Sequence, residues 1–206
     1  MSSQETLWTR SRQAVYAEIT SVAMNLFLEQ GFEQTTIDQI AATAAISRRS
    51  FFRYFGTKED IVLGDLASQG ILLRDTLEAI PLAVPPWEAI REALRQADGL
   101  TQQRDIMLKI AKMMYETPSL RARSIEKHLQ WQELLVPNIR LRLGIDADDQ
   151  MDPAADAIVS SAIACLDVAG QLWMRTGGTA DLADLYDRAV LAVRARSAGD
   201  PRIRRP

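Results

Sequence analysis

The stretch from residue 35 to residue 60, TTIDQIAATAAISRRSFFRYFGTKED, constrains the fold more than any other part of the chain. Thr36 and Gln39 have the spacing of a capping box, which predicts that a short helix begins after Thr36. Ser47 is a suitable N-cap for the next helix, and Gly56 ends that helix. The pattern therefore predicts two short helices joined by a tight turn, followed by the start of a longer helix.

Basic residues are concentrated in this stretch, although the chain of 206 residues has a net charge of −3. Residues 1–58 contain six Lys and Arg against five Asp and Glu, whereas residues 59–206 contain 18 against 22, so the charge is +1 in the first part and −4 in the rest. Electrostatic attraction to a polyanion such as DNA must therefore come from a local basic cluster, not from the net charge of the chain. The charged residues between Asp38 and Glu59 are all basic: Arg48, Arg49, Arg53 and Lys58. A basic cluster on the second of two short helices is typical of a helix-turn-helix that enters the major groove of DNA.

The rest of the chain is also predicted to be helical, because apolar residues recur at helical spacing and no strand-like alternation occurs. Pro81, Pro85 and Pro86 mark the clearest break in the chain, Gly99 marks another, and Pro137 should kink or split the helix that contains it. The polar start and the basic tail at 202–206 are expected to lie outside helices. Helices are predicted at about residues 10–30, 59–80, 119–143, 153–176 and 180–196, with further helices between them.

Several classes of protein find no support in the sequence. A single cysteine, Cys165, excludes an internal disulfide framework, and one histidine, His128, makes a metal site of cysteine and histidine ligands implausible. Neither a glycine-rich phosphate loop nor a nucleophile with a partner base is visible, so no cofactor, metal or enzymatic activity is predicted. No signal peptide is visible, and polar residues interrupt the most apolar segment, 154–174. We therefore expect a cytoplasmic protein that does not cross a membrane.

A series of motifs in the first third of the chain matches a known pattern in order. The motifs are Gly31-Phe32, Thr35-Thr36-Ile37, Ile40-Ala41, Ser47 to Tyr54-Phe55, and Thr57-Lys58-Glu59-Asp60-Ile61. Together they resemble the tetracycline-repressor (TetR) family of bacterial one-component regulators. The resemblance implies an all-α protein of nine or so helices. It also implies a homodimer with a three-helix DNA-binding head, residues 1–58, and a ligand-binding and dimerisation body, residues 59–206.

The head supplies the candidate DNA-binding residues, because the early residues of a recognition helix reach base edges or phosphates. They are Thr36, Ser47, Arg48, Arg49, Ser50, Phe52, Arg53, Tyr54 and Lys58. The resemblance implies that Tyr54 and Lys58 contact phosphates. Arginine is suited to guanine, whose N7 and O6 accept two hydrogen bonds. The backbone N–H of Thr36, at a helix start, could bind a phosphate. The sequence departs from the family at Phe52, usually a tyrosine, and at Ala45, usually a glycine; a positive φ at Ala45 would cost about 1 kcal/mol.

The body supplies candidate ligand-binding residues, all of them large or adaptable side chains on predicted helices. They are Trp87, Met107, Met114, Trp131, Leu135, Cys165 and Trp173. Each of them could instead be plain core, but as a set they favour a hydrophobic small-molecule effector. The segment Thr117 to Arg123, with Trp131 and Arg142-Leu143-Gly144, is similar to family members that sense acyl-CoA-like ligands. The sequence therefore predicts a repressor released from a palindromic operator by such an effector.

The last two predicted helices, near 153–176 and 180–196, are the expected homodimer interface. They are apolar over much of their surface, and small residues such as Ala155, Ala162 and Ala169 permit close helix packing. An internal core is the alternative interpretation. The alternative function is a DNA-binding regulator without a small-molecule pocket, which a protein partner or its own abundance would control.

Overall fold

A computed structural model describes residues 7–97 and 104–199. Helices are the only regular elements in these two ranges, so the predicted all-α fold is confirmed. The predicted break at Gly99 and the tail at 202–206 lie outside the described residues. The helices are α1 (Leu7–Gln30), α2 (Ile37–Thr43), α3 (Arg48–Phe51), α4 (Glu59–Ala79), α5 (Pro86–Ala97), α6 (Arg104–Glu116), α7 (Pro118–Leu143), α8 (Ala154–Arg175) and α9 (Leu182–Gly199).

The helices α1 to α3 pack around an apolar core, to which the predicted caps give definite ends. Thr36 and Gln39 form the full capping box at the start of α2, and the Ser47 hydroxyl accepts the backbone N–H of Ser50 in α3. Ala45 in the turn between them has a φ of 52°. The predicted cost of about 1 kcal/mol at this position therefore applies. The buried residues of this head core are Ile19, Ala23, Phe27, Phe32, Ile40, Phe51, Phe55, Ile61, Leu63 and Leu120.

The head core includes residues that follow the predicted head, 1–58. The reason is that the start of α4 is buried in the head core and its end in the body core. Ile61 and Leu63, near the start of α4, are buried with the head, whereas Leu73 and Leu77, near its end, are buried in the body. Reciprocal hydrogen bonds between Thr57 and Asp60 cap the start of α4. Because its two ends are buried in different cores, α4 can transmit a displacement from the body to the head.

The helix α7 runs without interruption past Pro137, so this proline does not split it. Near the end of α7, Arg142 Nη2 donates to the carbonyl oxygens of Leu77 and Ile80, each at 2.8 Å, at the C-terminal end of α4. Its Nη1 donates to two carbonyls of the loop that follows, those of Pro81 (2.7 Å) and Val84 (3.1 Å). These carbonyls lie at or beyond the last turn of α4, where the helix supplies no i+4 donor. Those of Leu77 and Pro81 also accept the backbone N–H groups of Ile80 and Val84. Arg142 therefore fixes the far end of α4 to α7.

The helices α8 and α9 pack together and leave an apolar face outside. The inner face of α8 is buried, and it includes Val159, Ile163 and Ala169. On the outer face, Val168 of α8 is 45% exposed and Leu191 of α9 is 63% exposed. By length and composition alone α8 could cross a membrane, but core helices of globular proteins meet the same test, and α8 packs against α7 and α9.

Candidate nucleic-acid interface and ligand cavity

The helix α3 presents its polar side chains to solvent because a single aromatic residue holds it against the head. Phe51 is fully buried, and its ring lies 5.6 Å from that of Phe55. The predicted DNA-binding residues Arg48, Arg49 and Phe52 are consequently exposed on the outer side. The structure therefore brings them together on one surface, as a recognition helix requires.

The two adjacent arginines of α3 differ in their surroundings. Arg48 Nη1 donates to both carboxylate oxygens of Asp38 in α2, at 2.9 Å each. Arg49 is exposed and has neither a hydrogen bond nor an ion pair within the described ranges. A guanidinium without a partner keeps all its donors available for a base edge. Arg49 is thus the better placed of the two for direct readout, a distinction that depends on the position of Asp38 in the fold.

Two of the predicted phosphate contacts are already engaged within the protein. The backbone N–H of Thr36 donates to Gln39 Oε1 at 2.8 Å, so a phosphate would have to displace the Gln39 side chain to bind it, and this contact stays a prediction. The capping box uses the backbone N–H that the sequence assigned to a DNA phosphate. Lys58 Nζ donates to the carbonyl oxygens of Phe32 (2.8 Å) and Thr35 (3.3 Å) and lies 4.3 Å from the Phe32 ring centroid. The Lys58 ammonium therefore fastens the start of α4 to the head, and a phosphate would have to share it.

The remaining predicted DNA-binding residues lie around α3. Phe52 is 47% exposed and packs edge-on against Phe51, with ring centroids 5.5 Å apart. Ser47 and Ser50 bond to each other as the cap of α3. Arg53 and Tyr54 line a shallow groove, which also includes Ser11 and Arg12 of α1. No sequence pattern singled out Arg12, because its position near Arg53 and Tyr54 follows only from the packing of α1 in the head.

A cavity of about 240 Å³ lies in the body between α4, α5, α7, α8 and α9. Its wall is mainly apolar, with two arginines and one aspartate among its lining residues. The lining residues are Gln69, Leu73, Arg91, Leu94, Arg95, Trp131, Leu166, Leu182, Ala183, Tyr186 and Asp187. Trp131 is the one member of the predicted ligand set that lines it.

The other six predicted ligand residues are dispersed over the body. Leu135 lines, with Trp131, a separate void of about 10 Å³, and Trp87 lies on an outer groove beside Arg194. Met107 is 38% exposed, and Met114 packs against the head core. The last two, Cys165 and Trp173, belong to the small core between α8 and α9. Helical spacing identified apolar faces but not which faces surround a cavity, and the core alternative describes several of these residues better.

Burial shifts the pKa values of the cysteine and the histidine. Burial raises the pKa of the Cys165 thiol, which disfavours the reactive thiolate. Burial also lowers the pKa of His128, whose ring lies 5.2 Å from that of Trp131. Across residues 7–97 and 104–199, the structure contains no group of three or more His, Cys, Asp or Glu side chains that could hold a metal ion.

Comparison with known proteins gives two family matches that together cover the head and the body. Residues 19–64 match "Bacterial regulatory proteins, tetR family", and residues 84–198 match "MftR C-terminal domain". The chain belongs to the tetR family. Its regulators bind DNA operators and act as dimers, and they are not enzymes. The predictions of a DNA-binding transcriptional regulator without enzymatic activity are confirmed.

Relatives and solved structures agree with this assignment. This tetR-family chain is 32% identical over 148 residues to the transcriptional regulator TcmR of Streptomyces glaucescens, a match covering 68% of the chain and 66%, about two thirds, of TcmR. It is 30% identical over 143 residues to the transcriptional regulator MftR of Mycobacterium tuberculosis, covering 69% of the chain and 72% of MftR. The crystal structure of Thermus thermophilus FadR, a TetR-family repressor in complex with lauroyl-CoA, matches with a TM-score of 0.59 and 24% identity. That match covers 86% of the chain and 92% of FadR, and it shows the shared fold.

Proposed function

We propose that this tetR-family chain is a dimeric, cytoplasmic repressor that leaves a near-palindromic operator when a hydrophobic or acyl-CoA-like effector enters the cavity in its body. The observation that carries the proposal is the position of Trp131, which lines the cavity and also abuts α4. The proposed units are the DNA-binding head, residues 1–58, and the ligand-binding body, residues 59–206. Arg49 is the proposed principal base-reading residue, and Arg48, Phe52, Arg53 and Tyr54 complete the contact surface.

The contact between Trp131 and α4 couples the cavity to the helix that enters the head. A β-carbon on Gly70 would lie 2.5 Å from Trp131 Nε1, which means that the indole ring lies directly against the backbone of α4. A ligand that displaces the Trp131 ring must therefore displace α4 or the ring's other neighbours, because packed interiors transmit strain. Glycine is the residue that permits this approach, since any side chain at position 70 would occupy the space of the ring.

The two ends of α4 determine what such a displacement does. Its C-terminal end is tied to α7 by Arg142, and its N-terminal end is buried in the head through Ile61 and Leu63. A push near the middle would then tilt the N-terminal end and the head with it. In a dimer the two α3 helices must match major grooves roughly 34 Å apart, so a shift of a few ångströms would weaken binding.

The acyl-CoA-like class is supported by two similarities and limited by the size of the cavity. FadR of T. thermophilus, which shares the fold, is described in complex with lauroyl-CoA, and the segment from Thr117 to Arg123 resembles members that sense such ligands. The volume of about 240 Å³ is below the roughly 300–1,000 Å³ usual for drug-sized ligands. An acyl chain or another small apolar molecule would fit, with any coenzyme A portion remaining outside.

The effector proposal is tested by filling the mouth of the cavity. Ala183 lines the cavity but is exposed, so Ala183→Trp should reduce ligand access without disturbing the core. We expect the concentration of octanoyl-CoA or lauroyl-CoA that releases half of the operator DNA to rise about tenfold, equivalent to roughly 1.4 kcal/mol. Operator affinity without ligand should stay unchanged. Fluorescence anisotropy of labelled operator DNA measures both quantities.

Ala147→Trp is the matched control, because Ala147 is an exposed alanine in the loop before α8, outside the cavity wall and away from the outer face of α8 and α9. It should leave both the operator affinity and the release by ligand as in the wild type. Equal release from Ala183→Trp and wild type would contradict the role of this cavity. A wild-type complex with DNA that neither ligand disturbs would contradict acyl-CoA-like control.

A second copy of the chain is the proposed partner of the outer face of α8 and α9. Val168 and Leu191 flank a groove that is mostly apolar and contains one charged side chain, Arg188. Two such faces related by a two-fold axis would bury each other's apolar residues. The family acts as dimers, and this face is continuous with the small core between α8 and α9.

The dimer proposal predicts the effect of a charge on this face. In Leu191→Arg, a guanidinium would lie between two apolar surfaces, where an unpaired charge is unfavourable. We expect the dimer dissociation constant to rise about tenfold or more, a loss of at least roughly 1.4 kcal/mol, as measured by sedimentation equilibrium. Leu141→Arg is the control, since Leu141 is 65% exposed on α7. Equal dissociation of both variants, or of neither, would contradict an interface at α8 and α9.

A further inference from the structure

The cavity wall contains a buried hydroxyl group without a hydrogen-bond partner. Tyr186 of α9 is 5% exposed, and its hydroxyl oxygen is buried and forms no hydrogen bond with any described residue. The same side chain lines the cavity. A buried polar group without a partner costs about 1–3 kcal/mol, so native proteins rarely retain one without a function. The oxygen has less than 1 Å² of accessible surface, so a ligand in the cavity must shift the Tyr186 side chain to reach it, and the unpartnered donor is then available to that ligand.

The charged side chains near Tyr186 in the cavity wall already form ion pairs within the protein. Arg91 Nε and Nη2 donate to the two carboxylate oxygens of Asp187, at 2.6 and 2.5 Å. Arg95 forms the same type of two-bond pair with Glu92, at 2.9 and 2.7 Å. A carboxylate that entered beside Tyr186 would compete with Asp187 for Arg91. An uncharged acceptor can use the hydroxyl without disturbing either pair.

The hydroxyl keeps its proton, because burial raises the pKa of Tyr186 and the nearby Cys165 and Asp187 side chains add to that shift. Leu94, Leu166 and Leu182 supply apolar surface to the wall, which also includes the Gln69 amide and the charged side chains already described. The wall thus places the neutral Tyr186 hydroxyl beside apolar surface, a common arrangement for fixing the orientation of a small molecule.

We propose that the effector is an apolar molecule whose uncharged carbonyl oxygen accepts a hydrogen bond from the Tyr186 hydroxyl. This inference rests on the proposed effector-binding function and specifies its ligand class. Either the carbonyl of an acyl thioester or that of a free ketone has the required chemistry. A free carboxylate of the same chain length does not.

The test measures the binding of octanoyl-CoA, 2-octanone and octanoate by calorimetry to the wild-type protein and to Tyr186→Phe. We expect the wild type to bind at least one of the two carbonyl compounds, and to bind it more tightly than octanoate. Tyr186→Phe should weaken that binding about three- to tenfold, the effect of one neutral hydrogen bond. The thermal midpoint of the ligand-free variant should equal or exceed that of the wild type, because the substitution removes a hydroxyl that has no partner in the fold.

Tyr115→Phe is the matched control. The Tyr115 hydroxyl is partly buried and donates to the carbonyl oxygen of Asp167 at 3.3 Å, and Tyr115 does not line the cavity. Its removal should lower the thermal midpoint and leave the affinities unchanged. The two tyrosines are therefore expected to show opposite patterns.

Three results would overturn the inference. They are unchanged affinity of Tyr186→Phe for the carbonyl compounds, octanoate binding as tight as theirs, and a wild-type protein that binds neither octanoyl-CoA nor 2-octanone. None of these results decides whether an effector controls DNA binding. That proposal is tested separately, by the release of DNA from the wild type and from Ala183→Trp. If both carbonyl compounds bind through Tyr186, the tighter of the two identifies the source as thioester or free carbonyl.

Discussion

Arg49→Ala should abolish most of the sequence-selective binding of this regulator to its operator. Arg49 is exposed on α3 and has no ion pair or hydrogen bond with any described residue, so its donors are available to guanine. A two-bond contact between arginine and guanine contributes about 1–3 kcal/mol, and a dimer makes two of them, about 2–6 kcal/mol in total. Affinity should therefore fall at least about 30-fold. The measurement is anisotropy on an operator selected from random-sequence DNA with the wild-type protein.

Arg48→Ala is the matched control for this prediction, because it removes the same type of side chain from the adjacent position. Arg48 is paired with Asp38, so its substitution should cost less selectivity and act mainly through charge. Arg49→Ala should lose discrimination among operator sequences, whereas Arg48→Ala should weaken binding to all sequences alike. A larger loss of selectivity in Arg48→Ala would contradict the assignment of base readout to Arg49.

Arg142→Ala is expected to produce the largest loss of stability among the proposed variants, about 2–4 kcal/mol in the free energy of unfolding. The substitution removes donors from four backbone carbonyls at the end of α4 and from Asn138 Oδ1, which accepts from Arg142 Nε at 2.8 Å. Burial lowers the pKa of Arg142, but the group stays charged, and hydrogen bonds from a charged donor are the stronger ones. Urea unfolding measures the change.

Arg140→Ala is the control for Arg142→Ala. Arg140 lies in the same last turn of α7 and also donates to backbone carbonyls, those of Asp146 and Asp149, but it does so in the exposed loop before α8. Its loss should cost less than about 1 kcal/mol, as is usual for exposed contacts. Equal destabilisation by both variants would show that Arg142 does not anchor α4 in the way described.

The sequence predicted the head closely because local chemistry determines its elements. The capping box at Thr36 and the cap at Ser47 are local, and α2 and α3 begin where these residues require. The predicted end at Gly56 was too late, since α3 ends at Phe51. The same capping box occupies the Thr36 N–H, a donor that the sequence assigned to a phosphate. Patterns within a few residues therefore located the starts of these helices. Whether a backbone N–H is available to DNA depended on which side chain accepts its hydrogen bond, as Gln39 does at Thr36.

The cavity could not be predicted in the same way, because five helices distant in sequence form its wall. Periodicity marked Trp131 and Leu135 as apolar, but only the packing of α7 on α4 separates the first, which lines the cavity, from the second, which does not. Tyr186 was part of an apolar helix face in the sequence, with no sign that its hydroxyl would be buried alone. Pro137 likewise required the tertiary structure, since either a kink or a split was compatible with the sequence.

The central claim is that ligand binding in the cavity of the body lowers the affinity of α3 for DNA. The most direct test is the thermodynamic coupling between ligand binding and operator binding. The measurement is operator affinity by anisotropy, without ligand and with saturating octanoyl-CoA or 2-octanone, using the compound that binds more tightly in calorimetry. Coupling of about 1–3 kcal/mol would weaken operator binding roughly 5- to 150-fold, and operator DNA would weaken ligand binding by the same factor. A ligand that saturates the cavity and leaves operator affinity unchanged would contradict the claim.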